Sequence, residues 1–293
     1  MGIIMNDTIN ADVPRRNVAA NELETTIDRA IDAYSQAPIG VILPFYNETQ
    51  TIDLVVETLF SNASSAGWKL QLVAIDDHST DNSLVILRQK ATELPSLQLE
   101  TIEHANNFGK GAAIRSGLDL IRVALVVVQD ADLEYDPRDL IKLVERMQVG
   151  DCDVVYGSRC LPESNNPKRW NAFAWGVSLL NLLVRVLYGV RLTDEATCYK
   201  LFRTEDLRRM DLQCQRFEFC PEVTAKACRM GLKIVEVPIS YRPRTRAEGK
   251  KIRLRDGWDA VKTLWRYRNW QEAEKSPEGP TQVSAQNVEV VNG

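Results

Sequence analysis

Histidine is almost missing from this chain: His78 and His104 are the only two among 293 residues. A zinc site built from several histidines is therefore excluded, and a resident metal would have to sit on carboxylate oxygens, which favours Mg2+ or Mn2+. Six cysteines occur (Cys152, Cys160, Cys198, Cys214, Cys220 and Cys228), but no C-x-x-C pair. That spacing excludes a zinc ribbon or a thioredoxin-type motif. The N-terminal stretch has no long apolar run of the secretory kind, so a reducing, cytoplasmic setting is expected. Its Met1-Gly2 start lacks the serine or threonine that myristoylation requires, since Asn6 stands there. Net charge is only -4, which argues against a nucleic-acid partner held by whole-molecule charge. Neither G-x-G-x-x-G nor G-x-x-x-x-G-K-[ST] is present, so Asn107-Phe108-Gly109-Lys110-Gly111 reads equally as a weak phosphate loop or a tight turn.

Hydrophobic residues make up 44% of the chain, enough for one large core. Residues 1–37 are polar and mixed in charge, with a helix expected over Glu22–Tyr34, and the residues from 271 onward read as a disordered tail. Between them, short apolar runs (Val41–Leu43, Leu70–Ile75, Leu97–Ile102, Ala124–Val128) alternate with amphipathic stretches. Those stretches are Ile52–Ser61, Ser83–Glu93, Gly111–Arg122 and Leu140–Met147. Such alternation predicts an α/β fold, a mostly parallel central sheet covered by helices on both faces. Ligands of such sheets bind beyond the carboxyl ends of the strands. Polar residues collect at those ends: Pro44-Phe45-Tyr46-Asn47-Glu48, Asp76-Asp77-His78-Ser79-Thr80-Asp81 and Gln129-Asp130-Ala131-Asp132.

Asp130 and Asp132 leave a buried strand one residue apart and repel each other unless a cation neutralises them. A divalent ion that also takes diphosphate oxygens meets that need, with Glu134 as a further oxygen donor. Asp76 and Asp77 are placed to accept hydrogen bonds from a base edge or a ribose, and Asp81 to cap the next helix. A basic run (Arg242, Arg244, Arg246, Lys250, Lys251) follows the strand-like Val237-Pro238-Ile239. It repels itself unless anions lie near, and arginine offers them two-pronged contacts.

Together these segments resemble glycosyltransferase family 2, in particular its dolichyl- or polyprenyl-phosphate sugar transferase branch. Gly157-Ser158-Arg159 and Thr193-Asp194-Glu195-Ala196-Thr197-Cys198-Tyr199-Lys200-Leu201-Phe202 extend the likeness, which covers about residues 39–268. The resemblance implies a GT-A fold over residues 38–270, with a nucleotide-binding half to about residue 135 and an acceptor half after it. It implies donor contacts from Pro44, Tyr46, Glu48, Asp76, Asp77, Lys110, Asp130, Arg244 and Lys250, and metal ligation by Asp130, Asp132 and Glu134. Asp132, Arg159 and Asp194 are implied at the reaction centre, and the register of the basic run leaves Arg244 and Arg246 as alternatives. The implied reaction is an inverting, Mg2+- or Mn2+-dependent transfer of a hexose from a nucleotide sugar such as GDP-mannose or UDP-glucose to a polyprenyl or dolichyl phosphate. A hydroxyl acceptor is the alternative, and would need a base such as Asp194 or Glu195. A degenerate nucleotide-binding protein is disfavoured by the intact motifs.

The apolar stretch Trp170–Val184 meets Arg185 before it reaches the roughly 20 residues of a bilayer span. It reads either as a core helix or as a helix at a lipid interface, flanked by Lys168, Arg169, Arg185 and Arg191. In the second reading the protein sits peripherally on the cytoplasmic membrane face.

Overall fold

A computed structural model of the chain describes residues 38–94, 96–164, 172–244, 254–273 and 288–291. Eight strands form one sheet in the order β7-β5-β6-β4-β1-β2-β3-β8. They are β1 (Ile39–Phe45), β2 (Leu70–Asp76), β3 (Gln98–Glu103), β4 (Leu125–Val128), β5 (Val154–Ser158), β6 (Lys200–Arg203), β7 (Ile234–Pro238) and β8 (Val288–Val291). Strands β1 to β4 pair in parallel. Strand β6 lies antiparallel between β4 and β5, and β7 pairs in parallel with β5. The carboxyl ends of β1, β2, β4, β5 and β7 therefore emerge along one edge. The segment leading into β6 enters at that same edge, because β6 runs the other way.

The helices are α1 (Ile52–Ser65), α2 (Ser83–Glu93), α3 (Lys110–Leu120), α4 (Leu140–Gln148), α5 (Ala172–Tyr188), α6 (Thr204–Arg209), α7 (Phe219–Arg229) and α8 (Leu254–Arg266). Every residue of β1 and β2 is buried, as strands covered on both faces require. Helix α1 buries Ile52, Val55, Val56, Leu59 and Ala63, a single stripe at helical spacing. Each fully buried aliphatic side chain there contributes roughly 1.5–3 kcal/mol. Helix α3 approaches the sheet through Gly117, where an added Cβ would come within 2.6 Å of Ile75 and 2.7 Å of Ile42.

Three expectations need correction. Helix α3 stops at Leu120, because Ile121 turns extended (ψ 126) and is buried, while the Leu120 carbonyl accepts from Gln71 Nε2 at 2.9 Å. Helix α1 runs on to Ser65, since Ala63 is still buried and the Ala66 amide closes onto Asn62. Residues 288–291, expected in a disordered tail, pair antiparallel with β3. The run Val-Glu-Val-Val is β-favouring, and β3 would otherwise present an open edge. Residues 1–37, with the helix expected at Glu22–Tyr34, lie outside the described residues, as do Trp170, Arg246 and Lys250.

Candidate active site

The strand ends surround a cleft of about 410 Å³. Pro44, Tyr46, Glu48, Asp77, Lys110, Asp130, Asp132, Glu134, Arg159 and Arg244 all line it, so most of the residues singled out in the sequence come together.

At the centre, Lys110 pairs with Asp130 and reaches Cys198 Sγ at 2.8 Å. Burial opposes the lysine's charge, but Asp130, Cys198 and Cys220 hold the ammonium well above its ordinary range. Asp132 has the opposite problem. Burial, then Asp130 and Glu134, push its carboxyl up to about 7 against the smaller effect of Arg244. The acidic turn thus lacks positive charge where Asp132 stands. Leu133, between the two acids Asp132 and Glu134, sits at φ 56, a strained conformation for a branched residue that the surrounding bonds must hold. Among the described residues no three carboxylate, histidine or cysteine side chains surround one point. Glu134, expected as a third ligand, has both oxygens engaged: Oε1 accepts from the Arg244 amide and Oε2 from the Tyr241 hydroxyl, each at 2.7 Å. Its role in this geometry is to tie the segment after β7 to the acidic turn. Asp130 pairs with Lys110 through Oδ1 and Asp132 accepts the Glu134 amide on Oδ1 at 3.0 Å, and their second carboxylate oxygens fit a divalent ion that draws its remaining oxygens from a diphosphate.

Asp76 and Asp77 behave differently from each other. Asp76 is buried, does not line the cleft, and accepts from the Ser79 amide at 2.8 Å. That bond holds the turn. Asp77 faces the cleft and accepts from the Phe108 and Gly109 amides at 2.9 and 2.8 Å and bonds His104 at 2.8 Å. Burial would raise its carboxyl, but these bonds outweigh burial and lower it. The glycines of the Asn107–Gly111 loop serve close packing. Gly109 has φ 98 and an added Cβ would meet the Gln215 carbonyl at 2.6 Å. The loop is thus a tight turn that delivers Lys110. Asp81 accepts from Thr49 and from both the amide and hydroxyl of Ser83, one residue ahead of the N-cap Asn82.

Arg244 crosses the cleft mouth. Its Nη2 contacts Glu48 Oε2 at 2.7 Å and its Nε donates to the Asp132 carbonyl at 2.9 Å. Arg159 is buried and gripped by Asp194: Nε and Nη2 each lie 2.7 Å from a carboxylate oxygen, and the Arg159 amide donates to Oδ2 at 2.9 Å. The guanidinium also lies 4.9 Å from the Tyr241 ring centre and 5.7 Å from that of Tyr135. Asp194, expected as a candidate base, is therefore engaged on both oxygens and fully buried behind Arg159. It positions Arg159.

Other cleft residues were not singled out from sequence: Tyr135, Tyr241, Leu180, Arg216, Phe219 and Cys220. They converge because α5, α7 and the segments flanking β6 meet there, and no local spacing announces that.

Next to this end lies an exposed apolar face. Helix α5 leaves Trp175, Leu179, Leu182 and Val186 exposed while burying Val177, Leu180 and Val184. Helix α8 packs beside it, with the Tyr188 hydroxyl donating to the Leu264 carbonyl at 2.5 Å, and adds exposed Trp258 and Trp265. Leu183 and Leu187 are half-buried against the core. Among the described residues no helix is long and apolar enough to cross a membrane.

The chain belongs to glycosyl transferase family 2, whose profile matches residues 40–210. It is 30% identical over 218 residues to an undecaprenyl-phosphate mannosyltransferase of Micrococcus luteus, covering 71% of this chain and 85% of that protein. It is 28% identical over 190 residues to a dodecaprenyl-phosphate galacturonate synthase of Rhizobium johnstonii, covering 65% of this chain and 55% of that one. Against an undecaprenyl-phosphate 4-deoxy-4-formamido-L-arabinose transferase of Edwardsiella ictaluri the identity is 28%, over 72% of this chain and 62% of that one. The match thus spans little more than half the length of several relatives. Among solved structures, glucosyl-3-phosphoglycerate synthase from Mycobacterium tuberculosis, in complex with Mn2+, UDP and phosphoglyceric acid, superposes with a TM-score of 0.61 at 18% identity. It covers 84% of both chains, which shows that this chain has the GT-A type of fold.

Proposed function

We propose that this chain moves a hexose from a nucleotide diphosphate donor to a polyprenyl phosphate at a membrane surface. The observation that carries the reading is one cleft where the buried acid Asp132 lies beside the Lys110–Asp130 pair and Arg244, and which opens beside an exposed, tryptophan-bearing face. Polyprenyl-phosphate transferases among the relatives support the acceptor, and the Mn2+ and UDP of the structural neighbour support the donor and metal. GDP-mannose and UDP-glucose are the donors to try first.

Mg2+ or Mn2+ on Asp130 and Asp132 would neutralise the donor diphosphate and stabilise its departure. Pro44, Tyr46 and Asp77 wall the nucleotide end. The acceptor phosphate is largely dianionic at neutral pH, since its second pKa is about 6, and needs no strong base. Its oxygen forms the new bond to the anomeric carbon as the bond to the donor's β-phosphate oxygen breaks, with inversion. Lys110 and Arg244 meet the charge that develops on the leaving diphosphate, and Lys250 is assigned to the same group. Arg159, held rigid by Asp194 and two tyrosines, presents a fixed positive edge to the acceptor phosphate. Replacing Arg244 by Gln should lower kcat on the order of 100-fold. Steady-state rates with saturating donor check this, and wild-type turnover would reduce Arg244 to a structural tie.

The apolar face of α5 and α8 carries the acceptor's lipid. Trp175→Ser with Leu179→Ser and Trp258→Ser should leave the thermal midpoint within a few degrees, because all three are exposed. Vesicle binding and transfer to polyprenyl phosphate should both fall at least roughly tenfold, as apolar insertion is lost. A folded triple variant that still binds vesicles and still transfers would refute the membrane reading.

A further inference from the structure

Two sulfurs lie together on the cleft wall and take no part in the chemistry assigned above. Cys198, just ahead of β6, and Cys220, in the first turn of α7, both line the cleft, and their thiols hydrogen-bond to each other. The Lys110 ammonium lies 2.8 Å from Cys198 Sγ. On the other side, Cys220 Sγ lies 3.2 Å from the Thr197 carbonyl, which also accepts from the Lys200 ammonium at 2.6 Å. Two cations thus flank one pair of thiols, a setting that favours a sulfur anion. The bond from Cys198, with Lys200 and Lys110 adding to it, lowers the Cys220 thiol against burial, and the same bond raises Cys198. The pair therefore releases one proton well before the other. Burial instead pushes Cys152, Cys160, Cys214 and Cys228 up.

Reactivity also needs access, and the two cysteines divide the work. Cys220 is half-buried and Cys198 is buried, so the sulfur that ionises more readily is also the one a small oxidant reaches from the cleft. We propose that Cys198 and Cys220 form an oxidation site at which hydrogen peroxide makes a disulfide that disables the cleft. The proposal rests on the transferase reading above for its consequence, and on the sulfur pair alone for its chemistry. The Cys220 thiolate attacks one peroxide oxygen, the O–O bond breaks, and the leaving hydroxide takes up the proton that Cys220 gave away, which makes one water and a Cys220 sulfenic acid. The Cys198 sulfur then attacks the Cys220 sulfur; the S–S bond forms, the S–O bond breaks, and the departing hydroxide carries off the Cys198 proton as a second water. The two sulfurs together lose two electrons, and the peroxide gains them. Bonding draws the sulfurs to about 2.0 Å. That link ties the segment ahead of β6 to α7 and takes Cys198 from Lys110, the cation assigned to the leaving diphosphate.

The test treats the full, reduced chain with hydrogen peroxide, blocks the remaining thiols with an alkylating agent, and maps the products by mass spectrometry. A peptide linked through Cys198 and Cys220 should form at least roughly tenfold faster than Cys160 is oxidised, although Cys160 is the exposed one. Calorimetry with Mg2+ and UDP or GDP should show the oxidised chain binding nucleotide on the order of tenfold more weakly, with recovery after dithiothreitol. Cys198→Ser and Cys220→Ser, each compared with its own untreated form, should lose that reversible response, and Cys160→Ser should keep it. Should a serine variant fail to fold, the link mapped in wild-type protein decides the matter. Absence of the link, earlier oxidation of Cys160, a linked chain that binds nucleotide as tightly as the reduced one, or a reversible response that survives in a folded pair variant would each overturn the proposal. A reduced chain that binds neither nucleotide would refute the donor reading, while the link still stands or falls by mass. A reduced chain that binds nucleotide and forms no link would refute this inference alone.

Discussion

Asp132→Asn is expected to abolish sugar transfer while leaving the protein folded, with a loss on the order of 1,000-fold or more. The side chain stands where a buried acidic turn is short of positive charge: burial and the neighbouring Asp130 and Glu134 push it up to about 7. An amide removes the charge that would attract a divalent ion, so excess chelator should mimic the substitution in wild-type protein. Stability should respond in the opposite sense. A carboxyl at about 7 in the folded protein, against an ordinary value of 3.8, contributes stability that is fully present below 3.8 and lost as pH rises through 7. Metal-free wild-type protein should therefore lose stability between pH 4 and pH 8. Asp132→Asn should flatten that fall and match or exceed the wild type at pH 8. Urea unfolding across pH measures this, and full activity in excess chelator would contradict the catalytic half.

Asp194→Ala carries the second large effect, on stability. Asp194 is completely buried, Arg159 nearly so, and the two share a pair of 2.7 Å contacts. Deleting the acid leaves a buried guanidinium without its carboxylate, beside the rings of Tyr135 and Tyr241. Breaking a buried pair from one side costs about 3–5 kcal/mol. A second substitution, Arg159→Met in the Asp194→Leu background, should restore much of that stability without restoring transfer, since it removes the stranded charge and leaves the cleft without its fixed cation. Asp194→Ala with an unfolding free energy within about 1 kcal/mol of wild type would show that the pair does not hold the cleft together.

The contrast between these two acids marks where sequence reading reaches and where it stops. The strand ends were legible because parallel strands buried on both faces read as continuous apolar runs, and whatever follows them meets the surface. Pro44–Glu48, Asp77 and Asp130–Asp132 fell on one edge for that reason. Partners were not legible. Glu134 looked like a metal ligand beside Asp132, but a segment more than a hundred residues away supplies Tyr241 and Arg244 to its oxygens. Asp194 looked like a base until β6, inserted antiparallel between β4 and β5, brought Arg159 against it. Asp76 and Asp77 are adjacent and chemically identical, yet one turns inward to the Ser79 amide and the other faces the cleft. Strand pleating separates them, and local composition does not say which is which. Helix α8 had a usable signal: Trp258, Val261 and Trp265 repeat at helical spacing. Its pairing with α5, which turns one apolar helix into a broader exposed face, depended on the tertiary packing.

The central claim is sugar transfer to a lipid phosphate. Its most direct measurement is incubation of the purified chain with radiolabelled GDP-mannose or UDP-glucose, Mg2+ or Mn2+, and polyprenyl phosphate in vesicles, followed by separation of organic and aqueous phases. Label should enter the organic phase as an acid-labile sugar-phosphate lipid, and only while the divalent ion is free of chelator. Label that stays in the aqueous phase, joined to a soluble hydroxyl acceptor with no lipid product from any donor, would contradict it.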